Sequence, residues 1–126
     1  MITGRVIGLQ ARIDVIFRLP GQPDLGIECV VDTGFEGALT LPAAAVAALK
    51  LPYLGQLDAH LADNSRARVP VHEATIVWDG QETQVAVLAM GNRPLIGTAL
   101  LDGFNLNADF ADNGPLVLQR LAAPGP

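Results

Sequence analysis

Apolar and polar residues alternate with a period of two in several short stretches, and turn residues interrupt them at close intervals. That pattern constrains this chain more than any other feature. From Arg12 to Leu19, Ile13, Val15 and Phe17 alternate with Asp14, Ile16 and Arg18, the signature of a half-buried strand. Gly26-Ile27-Glu28-Cys29-Val30-Val31 is a denser run, as expected of a strand covered on both sides. Leu57 to Ala62 and Val69 to Trp78 flank the polar turn Asp63-Asn64-Ser65. Asp79-Gly80 joins the run ending at Trp78 to Glu82 to Leu88, with the strongest hairpin composition in the chain. Shorter runs follow at Pro94 to Ile96, Leu106 to Phe110 and Leu116 to Gln119. The fold class implied is all-β, closed or sandwiched. Only Pro42 to Lys50 and Thr98 to Leu101 read as helical.

At 126 residues the chain is sized for one domain, expected over 1–121, with 122–126 as a flexible C-terminal tail. Half of it is apolar, and its 13 Gly and 9 Pro fall as turn punctuation without a repeat, so a low-complexity chain is excluded. The net charge is −5, and Arg66 and Arg68 form the only close basic pair, which leaves no nucleic-acid footprint. One cysteine, Cys29, permits no internal disulfide, and no Cys/His cluster suggests a metal. No signal peptide is expected at Met1-Ile2-Thr3-Gly4-Arg5, and the apolar run Ala43 to Leu49 is too short to cross a bilayer. A cytoplasmic protein without membrane partner or cofactor is the expectation.

The chemistry-bearing motif closes the second dense run: Val30-Val31-Asp32-Thr33-Gly34. A carboxylate directly after apolar strand residues is costly to bury unless hydrogen-bonded or paired. Gly34 lets the chain turn so that its N–H approaches that carboxylate, and the Thr33 hydroxyl is able to bond neighbouring backbone. The tripeptide alone also suits an ordinary Asx turn. Its context is a second apolar-apolar-glycine element, Leu95-Ile96-Gly97, with a hairpin between the two.

This combination resembles the retropepsin-like aspartic proteases, the single-domain family that includes retroviral proteases and small bacterial relatives. Asp32-Thr33-Gly34 matches the family's catalytic loop, and Phe35-Glu36-Gly37-Ala38-Leu39-Thr40-Leu41-Pro42 is similar to the bacterial branch. Leu57 to His72 falls where the family places its flap, and Leu95-Ile96-Gly97 matches the strand beneath the catalytic loop. Leu106-Asn107-Ala108-Asp109-Phe110 also fits the bacterial members, so the likeness spans Ile13 to Leu118. Two positions depart from the pattern. Phe35 stands where relatives place Ser, Thr or Ala, which removes a hydroxyl near the carboxylate. Thr98-Ala99 replaces the Arg and acid or amide of retroviral enzymes, which removes an ion pair that braces their dimer.

The resemblance implies a closed acid-protease barrel with one or two short helices and a flap, forming half of a two-fold dimer. Aspartic proteolysis needs two carboxylates sharing a proton. With a single Asp-Thr-Gly, the second Asp32 is expected from another copy of the chain. Asp32 is then the catalytic acid/base, Thr33, Gly34 and Phe35 form the active-site loop, and Leu95, Ile96 and Gly97 support it. Ala62, Asp63, Asn64 and Ser65 form the flap over an extended peptide substrate, activity favours mildly acidic pH, and the terminal strands build the dimer sheet.

The remaining polar residues carry plainer expectations. His60 and His72 read as exposed strand residues, Arg66 and Arg68 as a solvated strand face, Cys29 as a buried structural thiol and Ser65 as turn chemistry. Trp78 reads as core, with a flap-base contact as the alternative. A dimeric module of the same fold that holds peptides without cutting them is the main rival. A monomer whose Asp32 is only a capped turn acid is the third.

Overall fold

The computed structural model describes residues 1–60 and 63–122. Among them more than half of the residues lie in strands. Ten strands run as β1 (Ile2–Ile7), β2 (Gln10–Arg18), β3 (Leu25–Val31), β4 (Leu39–Leu41), β5 (Tyr53–His60), β6 (Arg66–Trp78), β7 (Gln81–Ala89), β8 (Leu95–Ile96), β9 (Phe104–Ala108) and β10 (Gly114–Arg120). Two short helices, α1 (Ala43–Leu49) and α2 (Thr98–Leu101), sit where the composition places them. Pro42 precedes α1, and Lys50 ends it in a left-handed conformation. Neither helix is long and apolar enough to cross a membrane.

The strands follow the order β5-β6-β7-β4-β8-β3-β2-β1-β10-β9, and β2 also pairs with β6 at Ile16↔Val77 to Arg18↔Thr75. All neighbours are antiparallel except β3–β8 and β4–β7, which are parallel. The period-two pattern of β2 is realised: Ala11, Ile13, Val15 and Phe17 are buried, and Asp14 and Arg18 face out. They meet Leu39 and Leu41 of β4, Ala74, Ile76 and Trp78 of β6, and Leu116 and Leu118 of β10 in one core. Full burial of a side chain such as Phe17 contributes about 2–3 kcal/mol.

β3 departs from expectation. Only Cys29 is fully buried, while Gly26 and Glu28 are exposed, so the strand is covered on one face. Its open face lies beside the outward face of β2, where Arg12 Nη1 donates to Glu28 Oε1 at 2.8 Å. β1 lies between β2 and β10, paired with β10 from Ile2 to Val6 and with β2 only from Arg5 to Ile7. The free edges of the sheet belong to β5 and β9. β9 begins two residues earlier than the Leu106 expected and ends at Ala108, leaving Phe110 exposed beyond it. Of the expected C-terminal tail, 123–126 lie outside the described residues.

The Asp79-Gly80 hairpin forms as expected between β6 and β7. Both residues have positive φ (51° and 75°), as the tight turn that matches strand twist demands. Arg120 Nε donates to Asp79 Oδ2 at 3.2 Å, tying this turn to β10. A methyl group on Gly80 would touch nothing within 4 Å, so its cost is purely torsional. Gly80→Ala is expected to lower stability by about 1 kcal/mol, read as a shift of the urea midpoint without a change in slope.

Candidate functional site

The site is built around the end of β3. The Val30 N–H donates to the Pro94 carbonyl (3.0 Å) and the Asp32 N–H to the Ile96 carbonyl (2.8 Å), so the parallel ladder with β8 runs on through Asp32. On its other edge β8 pairs antiparallel with β4. The chain between Asp32 and β4 is then stitched to the residues after β8. Gly97 N–H donates to Ala38 O (2.9 Å), Thr98 N–H to Phe35 O (2.8 Å) and Ala99 N–H to Gly37 O (3.2 Å). The Thr98 hydroxyl donates to the same Phe35 carbonyl at 3.4 Å.

This crossing depends on glycine. A Cβ on Gly97 would run into the Gly37 and Phe35 carbonyl oxygens and the Phe35 ring, and a Cβ on Gly37 would meet the tip of that ring. Phe35 therefore does not occupy the place of a small hydroxyl residue. Its half-buried ring lies across the two glycines and covers the backbone crossing. Ile96 is fully buried and Leu95 half-buried, as a supporting strand requires.

Asp32 itself is half-exposed, with Thr33 and Gly34 exposed beside it. Its Oδ1 accepts the Gly34 N–H at 2.9 Å, and among the described residues no other donor reaches the carboxylate. A carboxylate offers about four acceptor positions, so most of its capacity faces outward. The same turn chemistry appears at the tip of the β5–β6 hairpin. There Asp63 Oδ1 accepts from the Ser65 N–H (2.9 Å) and hydroxyl (2.5 Å). The Ser65 hydroxyl, followed by its N–H, holds the Asp63 carboxyl below the usual carboxylate range. Asp63, Asn64 and Ser65 are exposed and have no hydrogen bond to the Asp32 loop. Ala62, expected in the same flap, lies outside the described residues.

The other candidates separate cleanly. Cys29 is buried on the core side of β3, and its thiol is pushed up to about 12, by burial first and then by the charges of Asp14 and Glu28. A thiol so placed is protonated at neutral pH and is no nucleophile. His60 is exposed, but His72 is half-buried, with Nδ1 2.9 Å from the Leu51 carbonyl and its ring edge-on to Tyr53. His72 thus braces the base of the hairpin. Arg66 and Arg68 are exposed, with Asp58 3.8 Å from Arg68. Trp78 is core, packed edge-on against Phe104, over which Arg120 lies 4.8 Å from the ring centre.

Sequence reasoning missed Gly37 and Thr98, the partners of the Phe35 backbone and ring. A glycine two residues after the aromatic was the available signal, and the contact it serves is visible only once β8 is in place. No protein-family model matches the chain, and no curated protein matches it.

Two outcomes follow from this geometry. Gly97→Ala is expected to cost about 3 kcal/mol or more, because backbone carbonyls have nowhere to retreat, and thermal unfolding measures it. Cys29 is expected to resist dithionitrobenzoate at pH 8 in the folded protein and to react at once in denaturant. Rapid labelling of the native chain would show the thiol to be accessible.

Proposed function

We propose that the chain is an aspartic endopeptidase of the retropepsin-like kind, active as a homodimer in which each copy supplies one Asp32. The observation that carries this reading is the carboxylate's setting. Asp32 is held by a strand ladder and a glycine-only crossing, yet it leaves most of its acceptor capacity unused on an open surface.

Other features support the reading. The β2–β6 pairing brings together strands that lie five places apart in the sheet order, as closure into a barrel would require. In the β5–β6 hairpin, Arg66 to Pro70 pair with β5 alone, beyond the β6–β7 ladder, as a flap would. Across a two-fold axis two Asp32 side chains would share one proton, since like charges so close do not both ionise. The unprotonated carboxylate draws a proton from a water between them. The protonated one polarises the scissile carbonyl and later helps protonate the leaving nitrogen. Strand-like backbone bonds from the hairpin would hold an extended peptide. A lone buried thiol suits a reducing compartment, in keeping with a cytoplasmic site of action.

One observation favours the non-catalytic peptide-binding dimer: Phe35 has no hydroxyl to offer the carboxylate, and its ring lies over Gly37 and Gly97 instead. Asp32→Asn separates the possibilities, because asparagine keeps the Oδ1 acceptor for the Gly34 N–H and leaves the fold intact. Wild type is expected to run at twice 13.2 kDa in sedimentation and to cut a peptide library best at mildly acidic pH. Asp32→Asn is expected to lose cutting by about 10²- to 10⁴-fold with its melting temperature little changed. Equal cutting by both proteins would overturn the proposal. Binding by the dimer with no cutting at any pH would establish the rival.

A further inference from the structure

One strand-step from Asp32, on the same face, lies a cleft of about 280 Å³ whose walls are charged. Gln10, Arg12, Glu28, Val30 and Arg93 line it. Arg12 pairs with Val30 across β2–β3, and Val30 with Leu95 across β3–β8, so these side chains share a face. Asp32 continues the Val30 ladder two residues on and leaves that same face, about 6.6 Å along the strand. Gln10 precedes Arg12 by the same step.

The charges in the cleft do not balance. Arg12 is bound to Glu28 (2.8 Å) and to Gln10 Oε1 (3.1 Å), and its buried Nε has no acceptor among the described residues. Arg93 is exposed on the loop before β8 and makes no ion pair among the described residues. The nearest further charges on this face are Asp32, one strand-step beyond Val30, Arg5, in register with Arg12, and Asp14, in register with Glu28. Of the two arginines lining the cleft, Arg93 is therefore the one without a carboxylate partner among the described residues. At cellular ionic strength, charges beyond about 8 Å are screened, so a ligand there meets Arg93 unpaired, Arg12 already bound to Glu28, and Asp32 at the far end.

We infer that this cleft is a subsite for an acidic substrate side chain, with Arg93 as the residue that selects it and Arg12 as its anchored neighbour. The inference rests on the protease reading of Asp32 and names its substrate class: extended peptides carrying Asp or Glu close to the scissile bond. Side chains on one face of an extended peptide recur at the same spacing that separates Val30 from Asp32. The two-fold axis of the dimer repeats the subsite, so the acidic preference applies on both sides of the cut.

The test is to digest a proteome-derived peptide library at pH 6 and sequence the products by mass spectrometry. Wild type is expected to enrich Asp and Glu about five- to tenfold within about two residues of the cut, on both sides. Arg93→Gln is expected to flatten that enrichment and Arg93→Glu to turn it towards Lys and Arg. Below about pH 4 the wild-type enrichment fades as substrate carboxylates protonate. Cleavage without acidic enrichment, or enrichment that survives Arg93→Gln, overturns the inference and leaves the protease reading standing. A second arm needs no catalysis. Fluorescein-labelled decapeptide pools with a fixed central Glu or Gln are titrated with the Asp32→Asn protein, and tighter binding of the Glu pool is expected. Equal affinities overturn the subsite alone, whereas no binding by either pool, with no cutting by wild type, overturns both proposals.

Discussion

The parallel pairing of β3 with β8 is the constraint on which the region around Asp32 depends. Two backbone bonds, from Val30 and Asp32 to Pro94 and Ile96, settle where the carboxylate leaves the sheet. Because β4 occupies the other edge of β8, the chain between Asp32 and β4 must fold back over Gly97. It does so with three further backbone bonds and no room for a Cβ. Ordering a loop costs about 1–2 kcal/mol per residue in backbone entropy. Here that cost is offset by ladder bonds and by the Phe35 ring, which shields the crossing from water competing for those carbonyls.

Asp32 and Asp63 show what the surroundings add to identical turn chemistry. Each accepts a backbone N–H from two residues ahead. Asp63 adds a serine hydroxyl, and its negative charge is satisfied within its own turn. Asp32 has no such hydroxyl, because Thr33 is exposed beside it and Phe35 has none to offer. One turn therefore closes on itself, while the other presents an acid outward from a rigid base. An outward acid on a rigid base is the arrangement a reaction can use, since a carboxylate already saturated with donors is a weaker base.

Much of the architecture was legible because local chemistry and global fold agree. Asp79-Gly80 demands a tight hairpin whatever surrounds it, and Ile13, Val15 and Phe17 point one way in any strand. Thr98 to Leu101 forms its helical turn directly after Gly97. Illegible parts depend on partners distant in sequence. The β1–β2 connection turns through Gly8 and Leu9, both at positive φ (57° and 62°), and a leucine in that conformation is no turn signal. β4 has only three residues, all buried, because β7 and β8 flank it. The density of apolar residues in β3 suggested burial on both faces. Glu28 instead stays in water because Arg12 stands opposite its neighbour Val30. At the site, Asp32 and its glycines announced themselves, whereas the Arg12–Arg93 cleft required the β2–β3 register and the path of the loop before β8.

The free edges limit how two copies could meet. β1 pairs with β10 from Ile2 to Val6 but with β2 only from Arg5 to Ile7, so Ile2 to Gly4 have a ladder partner on one edge alone. β9 keeps one open edge, and its exposed positions are Asn105 and Asn107, polar residues that discourage indiscriminate strand addition. An interface of the kind proposed, uniting two Asp32 loops, would draw on the side chains and turns around Thr33, with β9 and the first residues of β1 as terminal edges able to extend the sheet. Under the proposed dimeric reading, assembly and substrate binding would be coupled, because a peptide lying across two Asp32 loops would also help to hold them together.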